Sequence, residues 1–218
     1  MNAEEKARND IVAACREMLA NGLNQGTSGN VSIRVGNRML ISPSATPCDA
    51  MRPEMIASMD LSGGMEDRWD GPAAPSTEWR FHWKLLKERP DITALVHAHP
   101  PHCTALAMLR QPIPACHYMV AAFGGADVRC APYHTFGTPE LARAVVTAMA
   151  DRWACLMANH GMVAGGLGIR KAMWRAVELE TLAQQYLLAS QLGKPAILSK
   201  EDIDETLALF AGYGVKDD

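Results

Sequence analysis

Two histidines, His97 and His99, close the apolar run Ile92-Thr93-Ala94-Leu95-Val96 and stand directly before Pro100 and Pro101. β-Branched and aliphatic residues bracketed by prolines read as a strand. Side chains two apart on a strand share a face, so both imidazoles project together from one strand end. Two neutral imidazoles held that way supply two corners of a tetrahedral zinc site. A third corner is available at His160, in Asn159-His160-Gly161. Three histidines and an open fourth position are the ligand count of a catalytic zinc, whereas a structural site is closed by a fourth ligand. The spacing also fits two hydrogen-bonded polar histidines at a strand end, and on spacing alone both readings stand.

Glu78 follows Ser76 and Thr77 and precedes Trp79, Phe81, Trp83 and Leu86, a helical pattern that should end near Glu88, before Pro90. Ser76 or Thr77 is the expected N-cap. Locally, Glu78 need do no more than complement the helix dipole, and the same helix end is a ready anion site. Two further small polar turns run from Thr27 to Asn30 and from Ser44 to Thr46. Each alone is ordinary loop chemistry. Together, in a chain with a zinc-like constellation, they suit phosphate held by backbone N–H groups and hydroxyls. None contains a lysine or fits the phosphate-loop pattern of nucleotide-binding proteins.

The elements that must position these groups follow from periodicity. An amphipathic helix carries Ile11, Val12, Cys15, Met18, Leu19 and Leu23 and ends near Asn21-Gly22. Short strands follow at Val31 to Ile33 and Met39 to Ile41, and Ser62 to Pro75 is loop-rich. After the histidine strand come a short helix from His102 to Leu109 and a strand near Val128-Arg129-Cys130. Thr138-Pro139-Glu140 then caps a helix with proline in its first turn. Ala154 to Ala158 and Met162 to Ala164 form a hairpin with His160 at its tip. A long helix from Lys171 to about Gln191 and a short one from Lys200 to Phe210 complete the pattern. Strands and helices interleave without a strict βαβ rhythm, which predicts a mixed or antiparallel sheet flanked by helices.

The 218 residues suffice for one sizeable core, and 48% hydrophobic with 21% charged residues fits a globular chain. A net charge of −3 with scattered Lys and Arg argues against nucleic acid and anionic membrane as partners. No apolar stretch reaches the length of a membrane span. The N-terminus lacks an apolar h-region, so a cytoplasmic location is expected. Cys15, Cys48, Cys103, Cys116, Cys130 and Cys155 are scattered without Cys-x-x-Cys and read as reduced, mostly buried thiols.

Several segments taken in order resemble the class II aldolase/adducin family: Gly26-Thr27-Ser28-Gly29-Asn30-Val31-Ser32, Ser76-Thr77-Glu78-Trp79-Arg80-Phe81-His82 and Val96-His97-Ala98-His99. The likeness continues through His102-Cys103-Thr104-Ala105, His117-Tyr118-Met119-Val120-Ala121-Ala122, Ala131 to Thr138, His160-Gly161, Leu182 to Leu187 and Phe210 to Gly214. It spans nearly the whole chain, which is more specific than any one motif. The resemblance implies a single three-layer αβα domain over residues 1–218, an α/β fold with a central, mainly antiparallel sheet. It implies a homotetramer with active sites at subunit interfaces.

By the same resemblance, His97, His99 and His160 hold one Zn2+ per chain and Glu78 is the acid/base group. Asn30, Ser44, Ser76 and Thr77 bind a substrate phosphate. Tyr118 donates a proton, reaching a neighbouring subunit's site, and Phe136 and Tyr213 line the substrate pocket. The implied reaction is reversible cleavage of a fuculose-type ketose 1-phosphate to dihydroxyacetone phosphate and a short aldehyde such as lactaldehyde. Family alternatives are 5-deoxyribulose- or 5-methylthioribulose-1-phosphate cleavage, 4-epimerisation, dehydration and decarboxylation. From another class comes a non-catalytic adducin-like scaffold, which has no need of all four of His97, His99, His160 and Glu78. His82, His102 and His117 read as packing or hydrogen-bonded residues. His134 and Ala45 depart from the pattern, which has a small residue and a glycine at those places.

Overall fold

The computed structural model describes residues 2–210. In chain order the elements are α1 (Ala3–Ala20), β1 (Asn30–Val35), β2 (Arg38–Ile41), β3 (Ala57–Asp60), α2 (Trp79–Glu88), β4 (Ala94–Ala98) and α3 (Pro101–Met108). They continue with β5 (Cys130–Ala131), α4 (Pro139–Ala148), β6 (Ala154–Met157), β7 (Gly161–Gly166), α5 (Ile169–Leu192) and α6 (Lys200–Phe210). Three-residue and six-residue 3-10 turns occupy Pro53–Met55 and Tyr118–Phe123. The seven strands form one sheet in the order β3-β2-β1-β4-β7-β6-β5. Every pairing is antiparallel except β5 with β6. This is the mainly antiparallel α/β sheet that the resemblance implies.

The period of two along each strand sorts the apolar residues into two cores. Val31, Leu40, Val96, Leu156 and Ala164 pack on one face with residues of α1, α3 and α5. Ile41, Leu95, Cys155 and Val163 pack on the other, against α2 and α4. Each fully buried aliphatic side chain contributes roughly 1.5–3 kcal/mol. On β1 and β4 that burial comes from Val31 and Val96 on the first face. Asn30, Ser32 and His97 are also buried, and buried polar groups persist only when paired. The α2 side of the sheet is where their partners lie.

Three local expectations need correction. The histidine strand runs Ala94–Ala98 rather than from Ile92, because Thr93 donates its N–H outside the ladder to Gly166. His97 is therefore a strand residue and His99 lies just beyond. The strand near Val128 shortens to Cys130–Ala131, and Val128 instead bridges Ile113. Neither Ser76 nor Thr77 caps α2; Glu78 occupies that position and its side chain makes no cap hydrogen bond. Ser76, two residues earlier, accepts the Glu78 N–H on its Oγ at 3.3 Å, and the Glu78 carboxylate makes its contacts elsewhere. Strand β3 and both 3-10 turns were not expected from the periodicity. No helix among the described residues is long and apolar enough to cross a membrane.

Candidate metal centre

β4 brings His97 into the sheet opposite Asn30 of β1 and Val163 of β7. The turn between β6 and β7 carries His160, and the start of α2 carries Glu78. The three imidazoles gather around a common point, with ring centroids 4.7 to 4.9 Å apart. His97 Nε2 lies 2.9 Å from His99 Nε2 and 3.1 Å from Glu78 Oε2. His160 Nε2 lies 3.1 Å from Glu78 Oε1. One ligand atom from each of the four residues falls within 4.8 Å of the others.

With His97 neutral, this arrangement sets electron-rich atoms against one another. His97 Nδ1 is 2.8 Å from the Met162 carbonyl, which only accepts, so Nδ1 carries the hydrogen and Nε2 of the neutral ring is a bare lone pair. That lone pair faces another imidazole nitrogen and a carboxylate oxygen. Glu78 Oε1 is buried without a hydrogen bond of good geometry. Electron-rich atoms converging in a buried place suit a cation, and imidazole nitrogen with carboxylate oxygen is a donor set that zinc accepts. Burial, followed by the neighbouring His97 and His160, pushes the His99 imidazole down to about 3, which keeps it neutral. Burial acts to raise the Glu78 carboxyl, but its closeness to His97 and His160 outweighs this and holds the group well below the usual carboxylate range.

The supporting contacts are local consequences of the fold. Gly161 must be glycine because a Cβ there would lie 2.5 Å from the Ala98 carbonyl oxygen and 2.6 Å from His99 Cδ2. Asn159 takes a left-handed conformation at the hairpin tip, with φ of 54°, where Asn is tolerated. Its side-chain oxygen accepts from Arg110 Nε at 2.8 Å. Asn24 accepts the His99 backbone N–H at 3.2 Å. Sequence reasoning missed Asn24 and Arg110; neither has a spacing signal, because both act through contacts distant in sequence.

A cavity of about 340 Å³ opens over the cluster, lined by Glu78, His99 and His160 together with Thr77, His134 and Phe136. Tyr133 and Asn159 line it too. Such a volume lies at the small end of ligand sites. The segment bearing His134 and Phe136 docks on α2 through Arg80, which donates to the Gly137 carbonyl at 3.1 Å.

The remaining expected site residues fall in distinct places. The turns bearing Ser44 and Ser76 lie side by side, because Ser44 N–H donates to the Ala74 carbonyl and Ser76 N–H to that of Ser42, both at 3.0 Å. Ala45 adopts a φ of 50°, so the turn takes the left-handed geometry a glycine would favour. Asn30 is buried, and its side chain is engaged by Glu78 Oε2 at 3.1 Å and His82 Nε2 at 2.5 Å. Tyr118 begins the second 3-10 turn, 48% exposed, and lines a different cavity with Glu178 and Gln185. Tyr213 lies outside the described residues. His102 Nδ1 pairs with Glu180 Oε1 at 2.7 Å, and His117 Nδ1 accepts the Met119 N–H at 3.2 Å.

Comparison with known proteins agrees with this geometry. The model of the class II aldolase and adducin N-terminal domain family matches residues 9–187. A 5-methylthioribulose-1-phosphate/5-deoxyribulose-1-phosphate aldolase from Rhodospirillum rubrum is 46% identical over 207 residues, covering 95% of this chain and 92% of the relative. An L-fuculose phosphate aldolase from Escherichia coli is 44% identical over 212 residues, covering 97% of each chain. A solved L-fuculose 1-phosphate aldolase superposes with a TM-score of 0.90 at 35% identity, covering 97% of this chain and 98% of that one. With the family matched along most of its length and a buried cluster of three histidines and one glutamate able to hold a metal, the chain belongs to the class II aldolase and adducin family and is one of its aldolases, a lyase.

Proposed function

We propose that the chain is a zinc-dependent aldolase that cleaves a ketose 1-phosphate reversibly to dihydroxyacetone phosphate and a short aldehyde such as lactaldehyde. The observation that carries this reading is the convergence of three imidazoles and one buried carboxylate at the floor of an open cavity. His97, His99 and His160 hold the zinc, one per chain. Bound zinc supplies Lewis acidity toward the negative charge that breaking C3–C4 leaves shared between C3 and the C2 oxygen. Glu78, kept ionised by its histidine neighbours, takes and returns the proton at C3.

The paired turns bearing Ser44, Ser76 and Thr77, with Asn30 at the start of β1, take the phosphate and so orient the chain for cleavage. Thr77 is exposed and lines the cavity, which supports its part. Tyr118 serves a neighbouring subunit's site in a homotetramer, as proton donor at the aldehyde oxygen; its exposure supports that role. Phe136 walls the aldehyde end. Zinc, rather than another divalent metal, is supported by the nitrogen-rich donor set. The enzyme works in the cytoplasm.

A second reading, cleavage of 5-deoxyribulose or 5-methylthioribulose 1-phosphate, is favoured by the apolar wall of Phe136 and Tyr133 and by the Rhodospirillum rubrum relative. An apolar wall disfavours an extra hydroxyl only modestly, so several aldehydes are accepted. The deciding experiment offers the zinc-loaded protein a panel of ketose 1-phosphates and their unphosphorylated forms, with coupled detection of dihydroxyacetone phosphate. Cleavage across several phosphorylated ketoses and none of the free sugars is expected. Equal turnover of free ketoses overturns the phosphate assignment, and no turnover of any ketose 1-phosphate overturns the activity.

A further inference from the structure

One fully buried titratable side chain has no task in the reaction above. His82 lies at 0% exposure beneath the site, with Nδ1 2.7 Å from Ser32 Oγ and Nε2 2.5 Å from Asn30 Oδ1. Asn30 in turn places Nδ2 3.1 Å from Glu78 Oε2. Local periodicity explains the alignment. Glu78 and His82 are four apart at the start of α2 and share a helix face, while Asn30 and Ser32 are two apart on β1 and share a strand face.

The donor and acceptor roles in this row are forced. An ionised carboxylate only accepts, so Asn30 must turn its amide nitrogen toward Glu78 and its oxygen toward His82. That oxygen also only accepts, so His82 carries its hydrogen on Nε2. Nδ1 is then a lone pair, and the Ser32 hydroxyl donates to it. The other His82 tautomer would set a bare nitrogen against the Asn30 oxygen. A flipped Asn30 would set that oxygen against the Glu78 carboxylate. Both alternatives face acceptor to acceptor in a buried place, where unmade hydrogen bonds are costly.

We infer that Ser32, His82 and Asn30 form a one-way hydrogen-bond chain that fixes the Asn30 amide toward Glu78, which makes His82 a positioning residue for the proton transfer at C3. The inference rests on Glu78 being the acid/base group. His82 acts only through Asn30 and touches no reacting atom. Groups that orient a site from behind it are typically worth 10- to 100-fold when removed.

The test uses zinc-loaded protein and measures C3 proton exchange in dihydroxyacetone phosphate, kcat and KM for cleavage, and zinc content. His82→Gln keeps an N–H where Nε2 donates, whereas His82→Asn reproduces only the Nδ1 side. The Asn variant should lose about 10- to 100-fold in exchange and kcat, with zinc content unchanged. The Gln variant should recover most of the loss, and Ser32→Ala should fall in the same direction by less. Loss of packing alone would not rank Gln above Asn. In zinc-free protein labelled with 15N-histidine, His82 should show the Nε2–H tautomer. Equal exchange in the Gln and Asn variants, or an Nδ1–H tautomer, overturns the chain. Glu78→Gln, run in parallel, separates the two claims: if it retains exchange, the acid/base assignment falls and this inference with it. If it loses exchange while the His82 variants keep it, only this inference falls.

Discussion

Substituting Gly161 by alanine tests whether the β6–β7 turn sets the metal cluster. The new Cβ would sit 2.5 Å from the Ala98 carbonyl oxygen and 2.6 Å from His99 Cδ2. An ordinary carbon–oxygen contact is about 3.3 Å or more, so roughly 0.8 Å of movement is needed. Ala98 pairs with Met162 in the β4–β7 ladder, which makes its carbonyl the harder of the two to displace. The His99 ring, just past the strand, is the part that yields. Overpacking of this size costs about 1–3 kcal/mol, or about 2–12 °C in Tm for a chain of this length. A misplacement near 1 Å at a reacting centre costs on the order of 10²-fold in rate. Three measurements check this: thermal unfolding of the zinc-free protein, zinc titration against a competing chelator, and the cleavage rate. Gly161→Ala should lower all three. Gly64→Ala, where nothing lies within 4 Å, should move none by more than about 0.5 kcal/mol. A Gly161→Ala protein with wild-type zinc affinity and cleavage rate would refute the argument that turn and cluster are sterically locked.

Other consequences are equally open to measurement. His97→Ala, His99→Ala and His160→Ala should each lose zinc while remaining folded, because two apolar cores hold the sheet independently of the cluster; full zinc retention in all three, read by elemental analysis, would remove the site. Glu78→Gln should keep zinc yet slow C3 proton exchange by about 10²–10⁴-fold, and exchange at the wild-type rate would leave Glu78 a helix-end residue. Burial, with the nearby His97, pushes His82 down to about 3, below the unfolded value of about 6.5. Between those values the unfolded chain binds a proton that the folded one does not, so this contribution to stability is full above pH 6.5 and is lost as pH falls toward 3. Urea unfolding of zinc-free protein from about pH 7 to about 4.5 should therefore show a shallower loss in His82→Gln than in the unsubstituted chain, and identical slopes would contradict the assignment. Ala45→Gly should stabilise the protein: relief of the left-handed conformation is worth about 1–2 kcal/mol, less about 0.5–1 for glycine's greater unfolded entropy. A lower urea midpoint would show that Ala45 is not strained.

Much of the fold was legible because it is governed by local periodicity. The alternation along β1, the short apolar runs of β2 and β4, the 3.6-residue spacing of α1, and the Thr138-Pro139 start of α4 each depend on residues only a few positions apart. The two-apart spacing of His97 and His99 placed both rings on one face for the same reason. β3 escaped notice because Ala57-Ser58-Met59-Asp60 is short and becomes a strand through pairing with β2. The cap of α2 was misplaced by one or two residues because Ser, Thr and Glu are all compatible with a helix start. Which of them faces the histidine cluster depends on histidines supplied by β4 and the β6–β7 turn.

What the chain order alone could not decide is the role of a polar group whose partner is far away in sequence. His82 looks like any helix-face histidine until β1 sets Ser32 and Asn30 on either side of its ring. Asn30 reads as a loop residue until its amide meets Glu78, 48 residues later. Hydrogen bonds act over about 3 Å, and only the folded sheet, with α2 laid across it, brings these groups that close. Residue types and short spacings determined which groups could do chemistry; the tertiary contacts decided which tautomer, which amide orientation and which carboxylate are set against one another, because those are properties of neighbours in space.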